Sequence, residues 1–170
     1  TDFGFKKLFG SEPNKDLLID FLNELLKGKK EIKALTYAKN EHLGKRAESR
    51  KAVFDLHCEN EQGEKFIIEL QKMKQKYFRD RSVYYATFPL QEQAPNGQGW
   101  DYQLKELYTI GIMDFTFDDY WGHPDRFRYD VKLADTETGA VFYDKLTFIY
   151  LEMPKFDKKE ADLKTHFDKW

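Results

Sequence analysis

Two carboxylates and an amide, Asp55, Glu69 and Gln71, are the side chains whose types and spacing best support chemistry. The segments that carry them, 54–58 and 66–71, read as the two strands of a β-hairpin. Asn60 pairs with Glu64 across the loop Glu61-Gln62-Gly63, whose glycine suits left-handed backbone. This register sets Asp55 opposite Glu69. Strand alternation then places Phe54, Leu56 and Cys58 with Phe66, Ile68 and Leu70 on an apolar face, and Asp55 and His57 with Ile67, Glu69 and Gln71 on the other. Opposed carboxylates repel unless a cation or a shared proton lies between them. Hard carboxylate oxygens suit Mg²⁺ or Mn²⁺, with waters and a phosphate oxygen in the remaining positions, and such an ion activates water for phosphodiester hydrolysis. The alternative is an acidic outer face of a solvated sheet.

Cations cluster on both sides of this hairpin. Lys27, Lys29, Lys30, Lys33, Lys39, Lys45, Arg46, Arg50 and Lys51 precede it, and Lys72, Lys74, Lys76, Arg79 and Arg81 follow Gln71. The formal net charge of −2 argues against a protein that coats DNA indiscriminately, so local clustering is the informative feature. A protein that clamps a phosphate backbone needs its cations here. Solvated lysines that keep strands soluble are the competing reading for each residue.

The remaining pattern supplies elements to position the hairpin. Leu17, Leu18, Phe21, Leu22, Leu25 and Leu26 recur at helical spacing between residues 14 and 27, and Gly28 stops the helix. Residues 32–38 read as a strand and 41–49 as a polar connection. Residues 77–93 read as a helix that Pro89 kinks or shortens, 95–99 as a loop and 107–113 as a buried strand. Short strands are expected over 129–133, 140–143 and 147–151, and a terminal helix over 157–170. The length of 170 residues fits one domain. The single cysteine, Cys58, excludes an internal disulfide framework and reads as a core residue in a reducing compartment. No apolar run is long enough to span a membrane and no signal peptide opens the chain, so a cytoplasmic protein is expected, associated with the nucleoid when bound to DNA. No Walker-type or Gly-x-Gly-x-x-Gly loop suggests nucleotide binding.

The Asp-hairpin-Glu-x-Gln arrangement resembles the PD-(D/E)xK nuclease signature, and the flanking segments resemble its recombination-promoting nuclease or transposase branch in bacteria. The resemblance runs through Thr1-Asp2-Phe3-Gly4-Phe5-Lys6-Lys7-Leu8-Phe9-Gly10, the helix ending Phe21-Leu22-Asn23-Glu24-Leu25-Leu26, and Arg81-Ser82-Val83-Tyr84-Tyr85. Gly99, Tyr102, Ile110-Gly111-Ile112 and Leu151-Glu152-Met153-Pro154-Lys155-Phe156 continue it in order. Two departures from the superfamily pattern stand out: no proline precedes Asp55, and Gln71 occupies the position often held by lysine. This branch is expected to carry glutamine there, which orients water or phosphate but brings no positive charge. The chain starts within the first motif and stops where the family continues, so it is compatible with being a fragment.

The resemblance implies an α/β, restriction-endonuclease-like core of helix, three strands, helix and strand, followed by additional strands and a helix. It implies a metal-dependent DNA endonuclease linked to recombination or mobile elements, with Asp55, Glu69 and the Leu70 carbonyl on Mg²⁺ or Mn²⁺ and Gln71 positioning water. Arg50, Lys51, Lys72, Lys74, Arg79, Arg81 and Tyr85 would bind DNA, Arg81 through its planar fork and Tyr85 by stacking. Arg81 packed over an aromatic ring as a structural element is the other reading of that pair. Asp16, Asp20 and Glu24 share a helix face and in some relatives such an acid reaches the metal, but a solvated face explains them and they stay outside the catalytic set. His57 is expected to be structural. A homodimer would provide two cuts, and a nuclease-like fold retained only for binding DNA or protein is the alternative function.

Overall fold

The hairpin forms in the register that its sequence dictates. Leu56 pairs with Ile68, His57 with Ile67, Cys58 with Phe66 and Glu59 with Lys65, and Asn60 N–H donates to the Glu64 carbonyl at 3.0 Å. Gly63 closes the loop at φ +80°, a conformation that a side chain would strain. The computed structural model describes residues 2–42, 52–94, 99–117 and 123–170, and the side chains of all of these except residues 2, 3, 42 and 52.

Around the hairpin the chain adds α1 (Asp2–Phe9), α2 (Lys15–Leu25), β1 (Leu35–Tyr37), β2 (Glu41–His42) and β3 (Ala52–Val53). The hairpin itself is β4 (Leu56–Asn60) and β5 (Lys65–Gln71), followed by α3 (Phe78–Glu92), β6 (Leu107–Met113), β7 (Arg128–Ala134) and β8 (Val141–Glu152). Six strands make one mixed sheet in the order β1-β4-β5-β6-β8-β7, and β2 pairs with β3 apart from it. β5, β6 and β8 run parallel, so Gln71, Met113 and Glu152 share one row at their C-terminal ends. The mixed sheet with its helices is a restriction-endonuclease-like α/β arrangement.

Alternation divides the core between two layers. Leu56, Cys58, Phe66 and Ile68 pack with Phe5 and Phe9 of α1 and with Leu18, Phe21, Leu22 and Leu25 of α2. Ile67, Leu107, Met113, Phe148 and Tyr150 pack on the opposite face with Phe78 and Ala86 of α3. Cys58 is fully buried, and burial pushes its thiol up to about 12, as a core role requires. Among the described residues no helix is long and apolar enough to cross a membrane.

Several sequence expectations need correction. Phe54 belongs to the α3 layer, not with Leu56 and Cys58, because residues 54–55 lie between β3 and β4 and break the alternation. The strand expected over 32–38 is only Leu35–Tyr37, and the polar connection contains β2. Pro89 does not shorten α3, which runs through it to Glu92. The two short strands over 140–143 and 147–151 are one strand, β8, whose partner β7 absorbs irregular register through bulges. The terminal helix is replaced by 3-10 turns at Glu160–Asp162 and Phe167–Lys169. There the Asp168 carboxylate accepts the Lys164 and Thr165 N–H groups and the Lys158 ammonium, a local alternative to helical bonding.

Candidate active site

The antiparallel ladder of β4 and β5 ends at Leu56 and Ile68, and the backbone groups beyond it are taken by acidic side chains. Leu70 N–H donates to Asp55 Oδ2 at 2.9 Å, and Asp55 N–H donates to Glu69 Oε1 at 3.1 Å. Each acid therefore fixes the other's segment. Asn40 holds the irregular turn: its carbonyl accepts Phe54 N–H at 2.8 Å, its Oδ1 accepts His57 N–H at 3.0 Å, and its amide donates to the Asp55 carbonyl at 3.2 Å. Sequence reasoning missed Asn40, because its role depends on the interruption between β3 and β4 that alternation does not anticipate.

Glu69 is 4% exposed. Burial, reinforced by the Asp55 charge, pushes its carboxyl up to about 7, although Arg81, the Asp55 N–H and Lys6 pull the other way. Its Oε2 accepts Gln71 Nε2 at 3.2 Å and Arg81 Nη2 at 3.2 Å. Asp55 carries its own cation, with Lys6 Nζ of α1 at 3.0 Å from Oδ1. The site thus brings together Asp55, Glu69, Leu70 and Gln71, all expected there from sequence, with Lys6, which the sequence placed in the first motif without a role in the site.

Arg81 reaches Glu69 because α3 lies close over the sheet. Phe78, Ser82, Ala86 and Pro89 are buried toward the strands, and Ser82 Oγ and the Tyr150 hydroxyl are 2.6 Å apart. Gly111 of β6, opposite Glu69, admits this approach: a Cβ there would stand 3.1 Å from Phe78 and 3.2 Å from Tyr150. Arg81 also donates to Gln75 Oε1 at 2.7 Å and lies 4.7 Å from the Tyr85 ring centroid. The packing reading of the Arg81–Tyr85 pair is seen directly, and the same guanidinium lies beside the acids.

Outward from Arg81 opens a cavity of about 570 Å³ bordered by Gln75, Lys76, Tyr77, Tyr84 and Tyr85. A neighbouring one of about 320 Å³ includes Lys74, Arg79, Phe115 and Phe117. Arg79 packs 4.3 Å from the Phe117 ring centroid. Lys72 and Lys74 are exposed. Arg50 and Lys51, together with Lys45 and Arg46, lie outside the described residues. His57 Nδ1 lies 3.0 Å from the Lys39 carbonyl, and its ring is edge-on to Phe54, a structural placement. Asp20 Oδ2 meets His166 and Trp170, and Glu24 pairs with Lys27, so these two helix acids serve other contacts.

The family model described as PD-(D/E)XK nuclease family transposase matches residues 1–170. The chain belongs to this family. No curated protein and no solved structure matches it. The family implies DNA as the substrate and a hydrolase that acts on it, and its superfamily generally employs divalent metal ions.

The donor set fits such an ion. Among the described residues no group of three His, Cys, Asp or Glu side chains could hold a metal, yet Mg²⁺ typically takes one or two carboxylates, with water and phosphate oxygens completing its shell. Asp55 and Glu69 are such a pair, and the upward shift of Glu69 comes first from burial and then from the neighbouring Asp55 charge.

Proposed function

We propose that this chain is a divalent-metal-dependent DNA endonuclease that hydrolyses phosphodiester bonds in recombination or mobile-element activity. The observation that carries the reading is the buried Glu69 carboxylate, shifted up to about 7 and interlocked with Asp55 at the C-terminal end of β5. Crevices at the carboxyl ends of parallel strands are common ligand sites in α/β sheets.

In this reading Asp55 and Glu69 hold Mg²⁺ or Mn²⁺, and the Leu70 carbonyl adds a third oxygen. When bound, the ion supplies an activated water and counter-charge for the phosphate. Gln71, fixed by its bond to Glu69, orients water or a phosphate oxygen through its amide. Arg81 supplies a planar donor group at the edge of the acids, and Lys72, Lys74 and Arg79 extend the cationic surface along the backbone path. Tyr77, Tyr84 and Tyr85 border a cavity of about 570 Å³ where a nucleobase can stack.

Plasmid nicking in Mg²⁺, Mn²⁺ or EDTA tests the reading. Wild-type cleavage should require the divalent ion, and Asp55→Ala and Glu69→Ala should each lower it at least about 100-fold while DNA binding persists. Unchanged cleavage by Asp55→Ala would sink the site assignment. Metal-independent binding with no cleavage by wild type would favour a nuclease-like binding module.

A further inference from the structure

Gln71 leaves the site with a chemical deficit. Its amide is spent partly on Glu69 and carries no charge. Arg81 is shared between Glu69 and Gln75 and packs on Tyr85. A phosphodiester entering beside two carboxylates needs a positive charge facing solvent, and the structure holds one in α1.

We propose that Lys6 is the catalytic lysine of this site, delivered from α1 in place of the residue that Gln71 does not provide, and that it holds the scissile phosphate. The proposal rests on the nuclease reading above. Lys6 Nζ stands 3.0 Å from Asp55 Oδ1, and its side chain is 46% exposed while that of Asp55 is 14% exposed. The ammonium is therefore anchored by the acid yet open to a ligand from solvent. It also bears on the second acid, because its charge helps to lower the Glu69 pKa.

The backbone beneath Lys6 is held in place. Phe5 and Phe9 bury in the core, with Phe9 stacked obliquely near Phe21 and Trp170. The Phe9 carbonyl accepts the Tyr37 hydroxyl. Gly10 N–H donates to the Lys6 carbonyl at 2.8 Å, and a Cβ at Gly10 would stand 2.6 Å from that oxygen and 3.0 Å from Leu56. Only a glycine lets α1 end this close to β4, which is what brings Lys6 to Asp55.

An ammonium has three donors, so Lys6 can keep one on Asp55 and direct another to a non-bridging phosphate oxygen. It acts as a fixed charge and gives up no proton. In the hydrolysis it serves, a water oxygen bonds to phosphorus and the phosphorus–oxygen ester bond breaks. The leaving oxygen gains a proton from solvent as the water loses one. Lys6 stabilises the charge that builds on the phosphate during this exchange.

The test compares wild type with Lys6→Met, Lys6→Arg and Lys6→Met combined with Gln71→Lys. The readouts are plasmid cleavage, DNA affinity in EDTA, thermal stability, and affinity of the DNA-free protein for Mn²⁺. Lys6→Met should slow cleavage by about 100-fold with little change in stability, and Lys6→Arg should retain most activity. Mn²⁺ should bind Lys6→Met several-fold more tightly, because a cation 3.0 Å from Asp55 no longer repels it. Adding Gln71→Lys to Lys6→Met should recover cleavage at least about tenfold by restoring a lysine to the site. Cleavage by Lys6→Met within about threefold of wild type would overturn the proposal, as would a joint fall in Mn²⁺ affinity and stability, which marks a structural prop. A wild-type chain inert in both metals overturns the nuclease reading instead, and the role of Lys6 falls with it.

Discussion

Glu69 shows how a residue suited to a site strains its own fold. Its carboxyl is shifted up to about 7 because burial and Asp55 outweigh Arg81 and Lys6. In metal-free buffer the folded chain keeps a proton there that the unfolded chain releases at the ordinary glutamate value. Stability therefore falls as pH rises between those two values. At pH 8 the penalty is on the order of 1–3 kcal/mol, since each tenfold change in proton affinity is worth about 1.4 kcal/mol. Glu69→Gln in EDTA should then raise the melting temperature at pH 8 and leave it nearly unchanged at pH 5. An equal gain at both values would show that the effect is packing rather than charge. Asp55, Glu69 and Gln71 were legible in the sequence because strand alternation and one loop glycine set their register. Asn40 was not, and Lys6 was seen only as part of the first motif, since each reaches the site from outside the hairpin through contacts that no local period encodes.

Among the elements, α3 depends on a glycine in a neighbouring strand. Gly111 lies beside Glu69 in the sheet and leaves room for Phe78, which seats the helix that carries Arg81. A branched side chain there pushes into Phe78 and Tyr150. Gly111→Val should destabilise the protein by about 1–3 kcal/mol, seen as a lower urea midpoint, and Gly111→Ala by less. If Gly111→Val leaves the midpoint unchanged, the helix does not rely on this close approach. Strands β5 and β6 and helix α2 were readable because each carries a strong period or a continuous apolar run. The C-terminal segment misled because its spacing is helical while Asp168 captures the backbone donors of Lys164 and Thr165. Likewise β8 reads as two pieces because its first half is largely exposed along the edge hairpin with β7, where the apolar pattern lapses.

At the scale of the molecule, charge is distributed with respect to the sheet rather than along the chain. The two acids stand at one end of β5, with Lys6 reaching Asp55 from the α1 layer and Arg81 reaching Glu69 from the α3 layer. The segment leaving that end carries exposed Lys72, Lys74 and Lys76, whereas Lys132 of β7 lies toward the other end, donating to the Asp144 carbonyl. A net charge of −2 thus conceals a local cationic approach to the site. If DNA docks there, its phosphates release counterions to these lysines, and the logarithm of affinity falls with the logarithm of salt by about 0.9 per contact. Replacing Lys72, Lys74 and Lys76 together with Ala should flatten that slope by roughly 2–3 and weaken binding across unrelated sequences alike. Lys132→Ala should leave the slope unaltered. Titrating a labelled duplex at several salt concentrations, in EDTA so that no cleavage intervenes, distinguishes the two surfaces. Equal slopes for the triple variant and wild type would move the DNA path away from the end of the sheet where the acids are.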